Sequence, residues 1–353
     1  MASLDQPLPA GTTRAPTRRW NEYTQLSRQL KQAGLLNRRR GWYGAMIALN
    51  FVLLAAGGVA FFLLGESWWQ LLTAAYLAVV ATQLAFVGHD AGHRQIFRSR
   101  RANDLVGLVN GNLLVGISFG WWVPKHNAHH SNPNHEELDP DIGIAALAFT
   151  AAQARGKRGL ARMIARSQAF LFFPLLFLEA GHLHVASLKS VVRGRGRANA
   201  VEALLLLVHL AVYLTILLLV LTPVQAVAFA IVQQGLFGLY LGCSFAPNHK
   251  GMPTLTEADQ LDFLRRQVLT SRNVRGSRFV DFLLGGLNYQ IEHHLFPNMP
   301  RPNLRYAQPL VREFCRQNDL PYTESTLFGS YAEALRHLHA VGAPLRPAPA
   351  APD

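Results

Sequence analysis

Cysteine is scarce in this chain, with only Cys243 and Cys315 among 353 residues. Two thiols are too few for a four-cysteine zinc or iron–sulfur site, and too few for a disulfide framework. Acidic residues are also scarce, at 21 Asp and Glu against 34 Lys and Arg, and charged residues make up only 16% of the chain. Histidine is comparatively frequent, with 14 residues.

Long uncharged stretches are the second compositional feature. A helix needs roughly 20 apolar residues to cross a hydrocarbon layer of ~30 Å, and four stretches approach or reach that length. Only "GES" separates the first pair, and "TP" lies between the second pair. The chain is therefore predicted to be an all-α integral membrane protein with two helical hairpins, whose four spans cover residues 42–64, 68–87, 201–221 and 224–246.

Basic residues are distributed unevenly around these spans. Arg and Lys are frequent before the first span and in the segment between the hairpins, whereas both short connections have none. The positive-inside rule then predicts that both termini and the middle segment are cytoplasmic. The arginines border spans and do not form a patch with interleaved aromatic residues, so nucleic-acid binding is not expected.

Two apolar segments between the hairpins are interrupted. Residues 105–123 contain four glycines, and residues 167–185 contain Pro174 near their centre. Such breaks favour re-entrant or interfacial elements over further full spans. Both segments are therefore expected not to span the membrane.

The ends of the chain differ in composition from its centre. Residues 1–20 are rich in Pro, Thr and Arg, residues 341–353 are rich in Pro and Ala, and both are predicted to be disordered. Leucines recur at helical spacing in residues 21–41, which predicts an amphipathic helix on the membrane surface. Residues 42–340 are left as the single folded domain.

The histidines are clustered. Residues four apart in "HDAGH", and residues three and four apart in "HNAHH" and "QIEHH", share one face of a helix. A further histidine follows the fourth span in "NHKGM". The predicted topology places all these groups on the cytoplasmic side, so we expect them to form one metal site from His89, His93, His126, His129, His130, His249, His293 and His294.

Eight imidazoles exceed what one zinc ion binds, since structural zinc takes four ligands and catalytic zinc about three. They suit two ions of intermediate softness, and iron is favoured if the reaction uses oxygen. The isolated His182, His184, His209, His337 and His339 are expected not to be ligands, and the role of His135 stays open.

Metal-bound imidazoles usually donate their second N–H to a carboxylate or carbonyl. Several acidic and amide side chains lie beside the histidine clusters in sequence and could accept such bonds or bind metal themselves. The candidates are Asp90, Asn132, Glu136, Asp139, Asp141, Asn248, Asn288, Gln290 and Glu292.

"HDAGH", "HNAHH" and "QIEHH" resemble the three histidine boxes of the membrane fatty acid desaturase family. "DPDIG", "NHKGM" and "NYQIEHHLFPNMPRPNL" resemble the surrounding sequence, and the likeness runs from about residue 25 to about residue 340. The resemblance implies four spans, a cytoplasmic helical cap carrying the boxes, and two iron ions bound by the eight clustered histidines. The third box begins with Gln290, as in the front-end and actinobacterial acyl-CoA branches. Gln290 is left as a ligand through its oxygen, a holder of water, or a residue outside the ligand set.

The resemblance implies an oxidoreductase that uses O2 and external electrons to introduce a cis double bond into a long acyl chain. An acyl-CoA is favoured over an acyl-lipid, with delta-9 and delta-6 chemistry both open, and no catalytic residue is expected beyond the metal centre. Lipid hydroxylation or conjugase chemistry at the same boxes is the first alternative. A histidine-lined metal transporter is a remote one, because it needs ligands at mid-membrane.

The electrons for this reaction are expected from a separate protein. The sequence has no CxxC pattern, no GxGxxG fingerprint and no "HPGG" haem-binding segment. A ferredoxin, a small cytochrome or a flavin reductase is therefore predicted as partner. The expected location is the membrane, the inner or plasma membrane if the source is bacterial, with the active site on the cytoplasmic side.

Overall fold

The computed structural model describes residues 16–144 and 146–346. Within these residues the architecture is helical, and the strands consist of one parallel pair of two residues each, β1 (Asn273–Val274) and β2 (Glu324–Ser325). The prediction of an all-α fold is confirmed.

Four helices of the described residues are long and apolar enough to cross a membrane, and they coincide with the four predicted spans. They are α2 (Arg40–Leu64), α3 (Gln70–Gly92), α10 (Arg197–Val220) and α11 (Pro223–His249). Two further bent helix pairs would bring the number to six if each were one broken span. The second hairpin turns where Thr222 caps α11: its hydroxyl accepts from the backbone N–H of Gln225, and Pro223 occupies the first turn. Both α3 and α11 extend past their predicted ends, and these extensions carry histidines.

The spans differ in what they contact. α3 packs along both α2 and α11, and most of its hydrophobic stretch is buried inside the protein. α2 and α10 turn apolar side chains outward, with Leu63 83% and Leu219 79% exposed. An outer surface of this kind is stable when lipid covers it.

Both interrupted segments bend sharply. α4 (Arg100–Leu108) continues as a π-helical turn (Val109–Val115) and then meets α5 (Phe119–Ser131) at 111°. The break falls at Gly116, whose φ of +80° is accessible to glycine at little cost. α8 (Gln168–Leu176) and α9 (Glu179–Arg193) meet at 65°. Neither segment is a straight span, and their re-entrant or interfacial placement stays a prediction.

The remaining helices are shorter or amphipathic. Two of them, α6 (Ala151–Gly156) and α7 (Gly159–Arg166), lie between the hairpins. Those after the last span include the helix that completes the histidine site. They are α12 (Phe263–Leu269), α13 (Arg278–Leu283), α14 (Gln290–Leu295), α15 (Arg301–Gln317) and α16 (Leu327–Val341), followed by a 3-10 turn (Ala343–Leu345).

The N-terminal helix corrects two expectations. α1 (Pro16–Gln32) begins inside the segment predicted to be disordered and ends before residue 41; residues 1–15 lie outside the described part. Leu26 and Leu30 are fully buried in a core that includes Phe314 of α15. The apolar face therefore packs on protein, although we expected it on the membrane. Helical spacing of leucines is the same for either partner.

The C-terminal segment is also more ordered than predicted. Val341 ends α16, and Leu345 is buried with Ala154 and Ala165. Order therefore continues to residue 346, because two apolar side chains find a core beside α6 and α7. Residues 347–353 of the predicted disordered tail lie outside the described part.

Candidate metal centre

Four helices bring the eight clustered histidines together. α3 supplies the first box near its end, α5 supplies the second, α11 ends at His249, and α14 carries the third. All eight are buried except His126, which is half-buried. The i, i+3, i+4 spacing places the second and third boxes each on one helical face, and the first box has two histidines four apart at the end of α3.

The first histidine group contains His89, His93, His126 and His293. One ring nitrogen from each lies within 4.8 Å of the corresponding atom of every other member. The ring centroids of His89 and His93 are 4.7 Å apart, and those of His89 and His293 are 4.9 Å apart. This spacing leaves room for one ion among four imidazoles.

The second histidine group contains His129, His249 and His294, whose ligand atoms also lie within 4.8 Å of one another. The Nε2 atoms of His249 and His294 are 3.1 Å apart. A possible fourth donor, Gln290, places its amide nitrogen 2.8 Å from Nε2 of His249. A flip of that amide would present its oxygen at the same point.

His130 lies between the two groups. Its ring centroid is 4.2 Å from that of His294 and 4.5 Å from that of His93. Its Nε2 is 3.1 Å from Nε2 of His126. Position and spacing therefore make His130 a potential ligand on the boundary of the two groups.

Hydrogen bonds orient several of these rings. Nδ1 of His129, His249 and His294 lies 2.9–3.0 Å from acceptors, which are Asp139, the Thr270 carbonyl and Gln267 respectively. When Nδ1–H donates, Nε2 carries the lone pair that binds a metal. In all three histidines, Nε2 is then the nitrogen that is available to a metal ion at the second group.

The donor set fits metal ions better than it fits hydrogen bonds. Nε2 of His89, His93 and His293 and Nδ1 of His130 are shielded from solvent without a hydrogen-bond partner in the described structure. Burial and the neighbouring histidines hold the pKa of His293 and His294 well below the ordinary value. Neutral imidazoles with unused lone pairs are what a cation needs.

Acidic residues support the second group. Both oxygens of Asp139 lie 3.0 Å from Nδ1 of His129, and Asp141 Oδ2 lies 3.6 Å from the same atom. Burial is the largest single influence on Asp139 and would raise its pKa, but the hydrogen bond from His129 and the charges of His129 and Lys250 together lower the pKa below the ordinary value. Lys125 pairs with Asp141. These carboxylates thus fix the ring of His129.

Asp90 has the corresponding position in the first group. Its Oδ1 is 3.2 Å from Nδ1 of His89, and its Oδ2 is 2.7 Å from the guanidinium of Arg301. The sequence did not identify Arg301, Gln267 or the Thr270 carbonyl as supporting groups. Arg301 lies within "NMPRPNL", and its position in that motif is the only feature of the sequence that could have pointed to it. A backbone carbonyl such as that of Thr270 cannot be recognised from the sequence, because every residue has one.

The other candidate partners bond elsewhere. Asn248 donates to Gln290 and so supports that side chain indirectly. Burial raises the pKa of Glu292 to about 7, although hydrogen bonds from Tyr322 and Asn273 counteract it. The remaining bonds join Asn132 to Arg266, Glu136 to Thr150, and Asn288 to Asp281.

The isolated histidines have other partners. His184 bonds the Gly116 carbonyl and Gln234, His209 bonds the Leu113 carbonyl, and His337 bonds the Phe149 carbonyl. The pairings of His135 with Glu137 and of His182 with Glu179 are local.

The geometry defines a class of protein: a helical membrane protein with a buried, histidine-rich centre that can hold metal ions. Residues 66–326 match the family model of fatty acid desaturases. This match covers well over half of the chain, and the chain belongs to the fatty acid desaturase family.

Curated relatives agree with the family. The chain is 27% identical over 336 residues to a delta(8)-fatty-acid desaturase of Helianthus annuus, covering 90% of this chain and 72% of the relative. It is 32% identical to a delta(6)-fatty-acid desaturase of Caenorhabditis elegans, covering 76% and 64%. It is also 32% identical to an acyl-lipid (9-3)-desaturase of Physcomitrium patens, covering 77% and 53%. The chain thus spans between about half and three quarters of the length of these relatives.

Family membership identifies the chemistry in outline. The protein is a membrane oxidoreductase of the desaturase type, and membership of this family implies a lipid substrate, iron as cofactor and O2 as oxidant. The prediction of a histidine-box desaturase is confirmed at this level.

Proposed function

We propose that the protein introduces a cis double bond into a long acyl chain at a centre of two iron ions. The observation that carries this proposal is the separation of the buried histidines into two groups with few competing hydrogen bonds. One group offers four ring nitrogens and the other offers three.

The proposed ligands follow the two groups. His89, His93, His126 and His293 would hold one ion, His129, His249 and His294 would hold the other, and His130 would serve on their boundary. Gln290 is assigned beside the second ion, since its amide lies against His249.

Iron and O2 supply the oxidising power that removes hydrogen from two adjacent unactivated methylenes. The chain itself holds the rings in place and shields them. Asp139 keeps the lone pair of His129 Nε2 directed inward, and Asp90 does the same for His89. Trp122 stacks on His126 with ring centroids 4.4 Å apart. That indole covers the most exposed ring of the first group.

The proposed substrate is a long-chain acyl-CoA, with an acyl-lipid as the alternative. The names of relatives specify delta(8), delta(6) and delta(5) activities. These relatives favour a delta-6-type reaction, near the carboxyl end of the chain, over a delta-9 reaction. Basic residues of the middle segment support recognition of a phosphate-bearing carrier.

Orientation and electron supply complete the proposal. The basic residues beside the spans favour a cytoplasmic position for the histidine-bearing end of the bundle. A separate ferredoxin, small cytochrome or flavin reductase would deliver electrons there.

The test is a product analysis in bacteria that express the chain with a reductase and ferredoxin. Fatty acid methyl esters are profiled by mass spectrometry, and the double bond is located by derivatisation. We expect a new alkene that disappears in His129→Ala and persists in the control His182→Ala, whose side chain is exposed. A hydroxylated chain without an alkene would contradict desaturation, and an alkene retained in His129→Ala would contradict the metal assignment.

A further inference from the structure

An arginine-lined cavity opens at the start of the first span, apart from the histidine groups. Its volume is about 720 Å³, and it lies between the N-terminal end of α2 and that of α15. The lining includes Arg38, Arg39, Arg40, Trp42 and Tyr306. No Asp or Glu is among the described residues that line it. We call it the arginine cavity.

The arginine cavity carries positive charge that no carboxylate in its lining offsets. Arg38 donates to the Asn298 carbonyl at 2.8 Å, and Arg39 donates to Asn303 Oδ1 at 2.8 Å. Both acceptors are neutral. Nε of Arg38 is shielded from solvent without a hydrogen-bond partner in the described structure. Arg40 is exposed. Three guanidinium groups therefore present donors and charge to one space.

Two helices add to this positive potential. The first residues of α2 and of α15 both line the arginine cavity, through Gly41 of one helix and Asn303 of the other. Neither helix has an acidic residue in its first turn. The positive end of each helix dipole favours an anion there. The first-turn N–H groups of α15 already have partners, since that of Arg301 donates to Tyr43 and Gln95 and that of Asn303 donates to the Pro300 carbonyl. The guanidinium forks are therefore the donors that match a tetrahedral oxyanion.

The position of the arginine cavity indicates which kind of molecule would carry the anion. Arg40 is the first residue of α2, and Trp42 stands in its first turn. The start of a span lies at the membrane surface, where tryptophan and tyrosine side chains are common. Lipid phosphates occupy that depth, and basic pockets beside spans bind anionic headgroups.

A second cavity lies beside the arginine cavity. Its volume is about 360 Å³, and it shares Trp42, Pro302 and Tyr306 with the first. Arg301 lines it, lies 5.7 Å from the Trp42 ring and pairs with Asp90, which orients His89. Trp42 and Arg301 therefore lie between a lipid bound in the arginine cavity and Asp90, which contacts the metal-binding candidate His89.

We propose that the arginine cavity binds the phosphate headgroup of an anionic membrane phospholipid. This site is additional to the proposed desaturase reaction, and the bound lipid is not required to be its substrate. The guanidinium groups hold the phosphate, the helix dipoles add to the positive potential, and Trp42 and Tyr306 flank the upper part of the lipid.

The test measures binding of dioctanoyl phosphatidylglycerol to the purified full chain in a neutral detergent, by native mass spectrometry. Two comparison ligands separate the sources of the phosphate. Dioctanoylglycerol has the acyl chains without the phosphate, and glycerol phosphate has the phosphate without the chains. Of the three ligands, we expect only the phospholipid to bind tightly. Added salt should weaken its binding because the charges are screened.

Variants locate the site. Combined Arg38→Gln, Arg39→Gln and Arg40→Gln should weaken binding on the order of a hundredfold, at about fivefold per arginine near a membrane surface. The control is Arg193→Gln, Arg195→Gln and Arg197→Gln, which removes three exposed arginines from the end of α9, the connection that follows and the start of α10. The control should change the affinity by less than about twofold, since distant exposed charges are screened.

A milder pair guards against a folding defect in the triple variant. Arg40→Glu reverses an exposed charge at the first residue of α2, and Arg197→Glu does the same for α10. We expect a loss of about tenfold or more only in Arg40→Glu. If phospholipid affinity fell equally in a variant and its control, either for the two triple variants or for the two charge reversals, the arginine cavity would not be the binding site. Equal binding of dioctanoylglycerol would overturn the role of phosphate, and equal binding of glycerol phosphate would overturn the lipid as its source.

Discussion

At the residue scale, the metal centre depends on acceptors that hold the imidazole rings. Asp139 contacts His129 through both oxygens and also accepts from the backbone N–H of Asn134 at 2.7 Å. The carboxylate therefore ties the second histidine box to the loop that follows it. Loss of its charge should affect metal binding before it affects the fold.

We predict that Asp139→Asn lowers iron affinity and activity by about 10–100-fold, the usual cost of removing an outer partner of a metal ligand. The change keeps the shape of the side chain but removes the charge that fixes the His129 tautomer. Iron per chain by plasma mass spectrometry and alkene yield are the readouts. Glu136→Gln is the matched control, because Glu136 bonds Thr150. Similar losses in both variants would mean that Asp139 has no special role.

Sequence spacing identified the histidines but only some of their partners. Three boxes at helical spacing and His249 are recognisable without coordinates, and Asp90 and Asp139 lie near enough in sequence to be proposed. Gln267 and Thr270 are separated from their histidines by long stretches of chain, so no local pattern connects them. Asn288 and Glu292 are close in sequence, yet Asp281 and Tyr322 compete for them successfully.

At the element scale, one carboxylate fixes the bend that places α5. Oε2 of Glu202, near the start of α10, accepts from Asn112 at 3.0 Å, from Ser118 at 2.7 Å and from the Gly120 backbone at 2.9 Å. A Cβ at Gly120 would stand 2.0 Å from Oε1 of Glu202. The three bonds join the π-helical turn to the first turn of the helix that carries the second box.

We predict that Glu202→Ala destabilises the protein by about 3 kcal/mol, since hydrogen bonds to a charged group contribute about 1.5–3 kcal/mol each and water replaces some of them. The Tm in detergent should fall, and iron content should fall with it because α5 loses its anchor. Glu179→Ala, which removes a half-exposed carboxylate paired with His182, is the control. An unchanged Tm in Glu202→Ala would exclude the anchoring role.

Apolar length and basic flanks predicted the four spans because lipid imposes the same requirement on each helix separately. The position of α1 depends on a partner instead. Leu26 and Leu30 form an apolar stripe that could pack on a membrane or on protein. In the structure they pack in the same core as Phe314 of α15. Gly116 indicated in the sequence where the segment could bend. The angle of the bend could not be predicted, because it depends on contacts with Glu202 and neighbouring helices.

At the scale of the whole molecule, the metal ions should stabilise the assembly of helices. The eight histidines come from α3, α5, α11 and α14, so bound ions would cross-link both hairpins and a C-terminal helix. A ligand at a hundred times its Kd stabilises the native state by about 2.7 kcal/mol.

We therefore predict that chelation of iron lowers the Tm of the purified protein by several degrees and that ferrous iron restores it. Differential scanning fluorimetry in one detergent follows both steps. His129→Ala should respond less, because one group has lost a ligand. A Tm that ignores chelator in an iron-loaded sample would contradict cross-linking by the metal.

The metal stoichiometry of the purified chain tests the central claim most directly. Protein expressed with ample iron is analysed by plasma mass spectrometry for iron and zinc per chain, alongside His129→Ala and His182→Ala. Two iron ions per chain, reduced in His129→Ala and unchanged in His182→Ala, are the predicted result. One ion or fewer per chain would contradict a centre built from two histidine groups, and zinc in place of iron would contradict the assignment of the metal.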